Sequence, residues 1–566
     1  MPYSDHPRAS EVEAQLTAIC AKEWGWRQAQ IAPDEDHPVF LGASLPNVDE
    51  GHQQTKLDRW KDVLAQLDTL DVSALSANAS IDYRVYRHQV ETLLADQHFK
   101  IWQRPLGGDT AFWNDVFYAA KAPRKTEEAY RDYIALLDDI PRYFAENIAN
   151  MRAGLARGFT LPRIVLKGRD TSVAHFLSFD QISENPFFEP FKSMPDTIPA
   201  GQKSVLQETA AAVIARKIRP AYAELLRFLW NEYMPGAQDS IAASDLPDGK
   251  AFYRSQIAKY TTRPLSPEEI HAFGLAQVEQ FSGEMVSAMK DTGFSGDLPA
   301  FLAFLRSDSQ FYAAEPQGLL NRAVEIVDRI DGKLSMFFKK RPTRRFAVLP
   351  VPDDVAPYFT SGRGGLGYYM VNTHKLASRP LYALPALTLH EAAPGHAFQM
   401  ALAAENNNLP DFRSGSSLAA YCEGWAVYCE RLGEEMGVFQ TPYERFGMLS
   451  YQIWRAARLV VDTGIHALGW RRDEACRFLK DTTALSNHEI ATEVDRYIAQ
   501  PGQALSYFIG STCLQDARRR AERALGRDFA VSEFHDMVLG LGSVPLDVIE
   551  AATDKFVAEW ANKTHP

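Results

Sequence analysis

Apolar residues recur at intervals of three and four along most of the chain, which is the pattern of amphipathic helices. The pattern runs through Glu11–Asp96, Thr126–Leu155, Gln202–Met234 and Ser266–Met289. The last of these stretches opens on Ser-Pro-Glu-Glu, where a capping residue precedes a proline and two acidic residues. We therefore expect a mainly α protein built from many helices.

The pattern changes between Arg345 and Thr373. The segments RFAVLPVP and GLGYYMVNT are short, rich in β-branched and aromatic residues, and bounded by Gly and Pro, which predicts strands of a small sheet. An exposed edge of this sheet could bind an extended peptide through main-chain hydrogen bonds, with Tyr369 and Asn372 as candidate substrate contacts. The alternative is that the strands only connect two helical halves.

The segment Leu381–Asn406 carries the candidate chemistry, because His390, Glu391 and His396 lie on one predicted helix. Two neutral imidazoles can hold zinc, and a carboxylate beside the first can take a proton from an attacking water. Six residues separate the histidines, so a regular helix would turn them about 120° apart. Pro394 lacks an N–H and crowds the carbonyl four residues back, and a glycine follows it. We therefore expect a bulge that turns the second histidine onto the face of the first.

A second helix, SLAAYCEGWAVYCERLGEEMG, follows a polar loop and ends at Gly437. Glu423 lies on it among Ala, Tyr, Cys and Trp, where an unpaired carboxylate would be costly. A metal ion would remove this cost, and two histidines with one carboxylate leave a fourth position open, as catalytic zinc requires. Two alternatives stay open: Glu423 forms an ion pair with an arginine, or the first helix ends at Ala393 and no metal binds.

The next predicted helix, Arg445–Trp470, is apolar around most of its circumference but carries one polar stripe. The stripe consists of Arg455, Arg458, Asp462 and His466, and it faces either solvent or a wet internal cavity, of which we favour the cavity. The spacing of the aspartate and the histidine would let the carboxylate orient the imidazole.

Ser-Asn-His-Glu at 486–489 is typical of a capping box and predicts the start of a further helix. Beyond it, Tyr497 and Tyr507 are candidate donors to an oxyanion, and Arg496 could bind a substrate carboxylate. Packing between helices is the alternative for each tyrosine.

Composition and charge narrow the class of protein. The 566 residues carry a net charge of −12 with a pI near 5.7, so we expect no nucleic acid partner. Five cysteines without a CxxC pair favour reduced thiols.

No stretch of about 18 apolar residues could span a bilayer, so we expect no membrane partner. The opening MPYSDHPRASEVEAQ lacks the order of a signal peptide, which favours a cytoplasmic protein, or a periplasmic one if a leader has been removed.

These motifs resemble those of a bacterial family of unknown function, marked by HExxPGH followed by an EGWA-type helix. The resemblance covers most of the chain and rests on HEAAPGHAFQ at His390–Gln399, YCEGWAVYCERL at Tyr421–Leu432, RLVVDTGIHALGW at Arg458–Trp470 and RYIAQPGQALSYFIG at Arg496–Gly510. The family is similar to divergent gluzincin metallopeptidases, mostly helical enzymes with a deep cleft that cleave peptides at zinc held by His, His and Glu.

The resemblance implies one Zn²⁺ per chain, held by His390, His396 and Glu423, with Glu391 as the general base. It also implies a large multi-helix, metallopeptidase-like fold with a deep central cleft and a small β-sheet near the active-site helix.

The same resemblance implies that residues 1–566 form a single catalytic unit. In this arrangement, the mostly helical residues 1–340 form one wall of the cleft. Residues 341–566 carry the small sheet and the metal-site helices.

We therefore expect a zinc-dependent metallopeptidase that hydrolyses short peptides. Tyr497 is the first candidate for the oxyanion donor, and His466 is the second. If Arg455, Arg458 or Arg496 holds a free carboxyl terminus, the enzyme is a carboxypeptidase or a dipeptidyl carboxypeptidase. The alternatives are a zinc amidohydrolase acting on a non-peptide amide and a helical binding protein without catalysis.

Overall fold

The computed structural model describes residues 7–32, 42–107, 110–353, 356 and 359–564. Over these residues the chain is mainly helical with one small sheet, which confirms the fold class that the apolar periodicity predicted. Among the helices described here, none is long and apolar enough to cross a membrane.

The helices are, in chain order, α1 Pro7–Gln28, α2 Glu50–Asp68, α3 Ala77–His98, α4 Phe112–Asp115, α5 Tyr118–Lys121, α6 Glu127–Ala156, α7 Arg163–Leu166, α8 Arg169–His175, α9 Ala200–Val213, α10 Arg219–Phe228, α11 Met234–Gly236, α12 Gly249–Thr261, α13 Pro267–Asp291, α14 Leu298–Ser307, α15 Pro316–Phe337, α16 Leu384–Glu391, α17 His396–Glu405, α18 Asp411–Ser414, α19 Ala419–Glu435, α20 Pro442–His466, α21 Arg472–Thr482, α22 Asn487–Ala499, α23 Ser506–Leu525, α24 Val531–Gly540 and α25 Leu546–Thr564.

The chain divides into two compact units, and the first is drawn from Met1–Ser76, Gln89–Phe252 and Ile498–Gln500. Within it, α6 packs against α9 and α10. The rings of Phe144 on α6 and Tyr222 on α10 have centroids 4.9 Å apart, and the Tyr222 hydroxyl donates to the carbonyl of Trp113 at 2.5 Å. Aromatic packing of this kind stabilises the core of the unit.

The second unit is drawn from Ala77–His88, Tyr253–Tyr497 and Pro501–Pro566. Within it α20 packs against α13, α19 packs against α23, and α16 contacts both α19 and α20. Helix α13 begins with the predicted capping box: the Ser266 hydroxyl accepts from the Glu269 N–H at 3.2 Å, and the Glu269 carboxylate accepts from the Ser266 N–H at 3.1 Å.

The sheet consists of β1 Ala347–Pro350, β2 Gly362–Gly365 and β3 Tyr368–Val371, in the order β1-β3-β2. β1 is parallel to β3, and β2 is antiparallel to it. β1 and β3 lie in the two segments whose composition predicted strands. β2 was not predicted, because the sequence GRGG has neither β-branched nor aromatic side chains. β2 forms one edge of the sheet and packs against α16 and α17.

Helices α19 and α23 approach each other at a pair of glycines. A Cβ atom at Gly424 would lie 2.5 Å from the carbonyl carbon of Gly510, and a Cβ atom at Gly510 would overlap the carbonyl oxygen of Ala420. The close packing of the two helices therefore depends on glycine at both positions. Because Gly424 follows Glu423, this contact also fixes the backbone that carries the candidate ligand.

The polar stripe of α20 faces the protein interior, not solvent. Arg455, Arg458, Asp462 and His466 are all at most 5% exposed. Their burial excludes the solvent-facing alternative for this stripe.

Asp462 connects α20 to two other segments of the second unit. Its carboxylate accepts hydrogen bonds from the Tyr253 hydroxyl at 2.6 Å and from the Gly502 N–H at 3.1 Å. Burial raises the pKa of Asp462 to about 7, and the two hydrogen bonds offset only part of this effect. Asp462 is therefore a buried carboxyl group that titrates near neutral pH.

Gly424→Ala should destabilise the protein, because the added methyl group must push α19 away from α23. Overpacking of this kind costs about 1–3 kcal/mol, which a lower midpoint of urea denaturation would report. Gly283→Ala on α13 is the matched control, since a Cβ atom there meets nothing within 4 Å. Alanine favours a helix over glycine by up to about 1 kcal/mol, so the control should be neutral or stabilising. Equal shifts in the two variants would contradict the packing argument.

Asp462→Asn should change how stability depends on pH. The pKa of Asp462 is about 7 in the folded protein against an ordinary value of 3.8, so protonation favours the folded state. That contribution is complete below about pH 4 and is lost as pH rises through 7, where the buried charge costs on the order of 4 kcal/mol. We expect the variant to gain stability relative to wild type between pH 5 and pH 8, measured by urea unfolding. A constant difference across this range would show that Asp462 is ionised throughout.

Candidate metal centre

Helices α16 and α17 are separated at residues 392–395, where the sequence predicted a bulge within one helix. α16 ends at Glu391 and α17 begins at His396. The Phe398 N–H donates to a carbonyl six residues back at 3.0 Å, which closes a loop wider than a helical turn. Pro394 explains the break, because it has no N–H to donate and its ring crowds the preceding turn. The single predicted helix is therefore two helices.

Two close contacts fix the loop between α16 and α17. Trp425 on α19 donates its Nε1–H to the carbonyl of Pro394 at 2.8 Å. A Cβ atom at Gly395 would overlap the carbonyl oxygen of His390, so glycine is needed where the chain turns back on the end of α16. The loop is thus held against α19, the helix that carries Glu423.

His390, His396 and Glu423 meet at one point. The Oε2 atom of Glu423 lies 3.4 Å from Nε2 of His390 and 3.3 Å from Nε2 of His396. The two imidazole rings are perpendicular, with centroids 4.9 Å apart. One ligand atom from each residue lies within 4.8 Å of the others, and no further group of three or more His, Cys, Asp or Glu in the described ranges has such an arrangement.

This spacing fits a tetrahedral zinc ion. Ligand atoms at about 2.0–2.1 Å from zinc lie about 3.3 Å from one another, in agreement with the distances from Glu423 to each imidazole. The Oε2 atom of Glu423 is buried and has no well-aligned hydrogen bond to any described residue. A cation bound there would satisfy this oxygen, and three protein ligands would leave a fourth position for water or substrate.

Glu430 lies behind His390, and the sequence reasoning did not single it out. Its Oε1 atom lies 2.8 Å from Nδ1 of His390, and its Oε2 atom accepts a hydrogen bond from Gln452 at 2.8 Å. When Nδ1 donates to this carboxylate, Nε2 is left free to bind a cation. Glu430 follows Glu423 by seven residues, which places both carboxylates on one face of α19. That spacing is the pattern that could have found it.

Carboxylates determine the charge around His390. Burial alone would lower the pKa of His390, but Glu423 and Glu430 outweigh burial and raise it to about 9. Burial likewise acts to raise the pKa of Glu423, but His396 and His390 hold it well below its usual range. The site therefore favours positive charge at the point where the three side chains meet, either protons or a metal ion.

Glu391 is the last residue of α16 and lies against the sheet. Its Oε2 atom accepts a hydrogen bond from the backbone N–H of Gly364 on β2 at 2.6 Å. A Cβ atom at Gly364 would overlap the carbonyl oxygen of Glu391, so β2 approaches this closely only because it has glycine there. The edge strand thus orients the candidate base through its backbone.

Tyr507 lies beside the candidate metal centre, whereas Tyr497 is engaged in the packing of the helices. Its ring is nearly parallel to that of His390, with centroids 6.4 Å apart. Tyr497 is 1% exposed, and its hydroxyl accepts hydrogen bonds from Trp454 Nε1 at 3.0 Å and Arg458 Nε at 2.9 Å. Those two contacts engage the Tyr497 hydroxyl within the helix packing.

His466 and Asp462 join α20 to neighbouring segments. The Nε2 atom of His466 lies 2.9 Å from the carbonyl oxygen of Tyr497. Asp462 accepts from Tyr253 and Gly502, as described above. Through these contacts both residues help to pack α20 against the neighbouring segments.

Tyr369 and Asn372 are fully buried beside the sheet. The Tyr369 hydroxyl lies 3.2 Å from the hydroxyl of Thr388 on α16. The Asn372 amide nitrogen lies 2.9 to 3.0 Å from the carbonyl oxygens of Ala356, Phe359 and Thr360. The first contact packs β3 against α16, and the second closes the loop before β2.

The three candidate arginines lie close to two glutamates. Arg458 and Arg496 both donate through Nη2 to the same oxygen of Glu493 at 2.9 Å. Nη2 of Arg455 lies 3.6 Å from Oε1 of Glu430, the carboxylate that also contacts His390.

Two solved structures resemble this chain over nearly its whole length. A candidate lipoprotein from Colwellia psychrerythraea has a TM-score of 0.86 and 23% sequence identity, covering 98% of this chain and 99% of that one. A candidate lipoprotein of unknown function from Shewanella oneidensis has a TM-score of 0.72 and 18% identity, covering 95% of this chain and 98% of that one. At these identities the likeness shows a shared fold.

The comparison with curated proteins gives no match. The sequence model of one bacterial family matches residues 36–552, a range that includes every residue of the candidate metal centre. The chain therefore belongs to the family described as bacterial protein of unknown function, DUF885.

Proposed function

We propose that the protein is a zinc-dependent metallopeptidase that hydrolyses short peptides in a deep cleft. The observation that carries this proposal is the meeting of His390, His396 and Glu423 within zinc-binding distance of one another, with Glu391 beside the first histidine. The cytoplasmic location, with the periplasm as the alternative, stays a prediction from the sequence.

The roles of the site residues follow from their positions. His390, His396 and Glu423 would hold the ion, which supplies Lewis acidity to polarise the carbonyl under attack. Glu391 takes a proton from the attacking water and passes it to the leaving amine. The hydrogen bond from Gly364 fixes one oxygen of the Glu391 carboxylate and leaves the other as the proton acceptor.

The neighbouring strand and tyrosine supply substrate contacts in this proposal. β2 is an edge strand, so an extended peptide can add to it through main-chain groups other than the Gly364 N–H, which donates to Glu391. Tyr507 is the proposed oxyanion donor, because its ring lies beside that of His390. Tyr497 and His466 are the alternatives for this role.

Glu391→Gln should keep its zinc and lose peptide hydrolysis by at least about 100-fold, because a general base contributes about 10²- to 10⁴-fold and glutamine has the same shape without the basicity. Zinc-loaded wild type and variant are incubated with a mixed peptide library, with and without a chelator. Mass spectrometry then reads the cut ends, and elemental analysis gives zinc per chain.

Glu435→Gln is the control for this experiment, since Glu435 lies on α19 with a half-exposed side chain. Undiminished cleavage by Glu391→Gln would show that Glu391 is not the general base. A wild type that binds zinc and cuts no peptide would contradict the peptidase and favour an amidohydrolase or a binding protein.

Glu430→Gln should weaken zinc binding by about 10- to 100-fold, because the carboxylate behind His390 orients the ring and raises its basicity. Competition with a chromophoric chelator measures the dissociation constant. Glu435→Gln again serves as the control, because its carboxylate pairs with Arg518 instead of a ligand histidine. Equal affinities in the two variants would show that Glu430 does not support the metal centre.

A further inference from the structure

The Nε atom of Arg455 is buried without a hydrogen bond. The residue is 5% exposed, and no described residue accepts a hydrogen bond from Nε. Its ion-pair neighbour, Oε1 of Glu430, is 3.6 Å from Nη2 and is engaged with His390. A guanidinium carries five N–H donors, and burying even one of them without an acceptor is costly. The position is therefore suited to a ligand that brings acceptors.

Aromatic rings hold this guanidinium in place. Its central carbon lies 4.4 Å from the ring centroid of Trp454, 5.1 Å from that of Tyr507 and 5.3 Å from that of Tyr451. Rings cover the faces of a planar cation and leave its N–H edge for an acceptor. Since Tyr507 also lies beside His390, only one ring separates Arg455 from the metal ligands.

Positive charge exceeds negative charge in this cluster. The guanidinium carbon of Arg458 lies 4.3 Å from the Tyr507 centroid, and its Nη1 atom is buried without a partner. Arg458 and Arg496 share Glu493 as their ion-pair partner, and Arg455 forms an ion pair with Glu430. In the described ranges, three arginines thus contact two carboxylates, an excess of one positive charge.

We propose that Arg455 binds the free α-carboxylate of the peptide substrate, so that the enzyme removes residues from the carboxyl terminus. A carboxylate matches the fork of N–H donors and cancels one positive charge, whereas a phosphate group would bring about two negative charges. The surrounding rings suit an apolar terminal side chain. This inference rests on the proposed function and adds the substrate class to the same site.

The chemistry remains a hydrolysis that needs no further reactant. Water adds across the scissile C–N bond. Its hydroxyl group joins the acyl carbon, and a proton goes to the leaving amine of the released terminal residue. Arg455 contributes by holding that residue, so it acts as a binding group and not as an acid or base.

Binding of N-acetylphenylalanine and of its amide to the zinc-loaded Glu391→Gln protein tests the proposal directly, because neither compound is turned over there. Isothermal titration calorimetry should show the acid binding about 100-fold more tightly than the amide, the size expected for a buried charge pair. Equal affinities would overturn the proposal, and this comparison needs no change at Arg455.

Arg455→Gln, made in the same background, should reduce the affinity for the acid to that for the amide and leave the amide unchanged. Arg445→Gln is the matched control, because Arg445 also lies on α20 but is partly exposed and pairs with Glu434. Arg455→Lys keeps the charge without the fork and should recover part of the preference for the acid. A preference that survives Arg455→Gln intact would assign carboxylate binding to another residue.

Cleavage of matched peptides separates this inference from the proposed function. Wild type loaded with zinc should cut peptides with a free carboxyl terminus at least about 100-fold faster than the same peptides amidated. Equal cleavage of both would overturn the inference while the peptidase stands. If neither peptide is cut, the peptidase proposal fails, and the binding comparison still decides whether Arg455 recognises a carboxylate.

Discussion

The close approach of α19 to the loop between α16 and α17 is the contact on which the candidate metal centre depends. Trp425 holds the loop through the carbonyl of Pro394, and Glu423, two residues earlier on the same helix, then reaches both imidazoles. On its other side α19 lies against α23 at Gly424 and Gly510, where there is no room for a side chain. The ligand distances are therefore set by backbone packing, and α19 cannot move without breaking one of these contacts.

Buried charges around the candidate site form a connected series, in which His390, Arg455, Arg458 and Arg496 each lie against a carboxylate. Glu430 lies between His390 at 2.8 Å and Arg455 at 3.6 Å, so one carboxylate links the candidate metal ligand to the arginine cluster. Buried ions of this kind contribute little to stability, because the cost of removing them from water offsets their attraction. Their arrangement is better explained by chemistry: a cation at the histidines and an anion at the arginines are the two ligands that this charge pattern favours.

The sequence predicted the regular elements and the principal side chains of the candidate site, because both have local signals. The capping box at Ser266 and the β-branched strands are of this kind, and so is a carboxylate on an apolar helix at Glu423. β2 was not predicted, because three of its four residues are glycine, which is depleted in strands. The choice between Tyr507 and Tyr497 could not be made from the sequence, since it depends on which ring the fold brings beside His390. Glu430 has a local signal in its seven-residue spacing from Glu423, which places both carboxylates on one face of α19.

The position of Glu391 favours a catalytic centre over a structural one. A structural zinc site closes its fourth position with a protein side chain, and Glu391 is the residue next to a ligand that could do so. Its carboxylate is instead turned to β2, where the Gly364 N–H holds it at 2.6 Å, and it is not part of the group formed by His390, His396 and Glu423. A carboxylate oriented by a backbone N–H, and outside the group of three ligands, is available for proton transfer in the proposed reaction. In the proposed hydrolysis, the second oxygen of this carboxylate would take the proton from the attacking water.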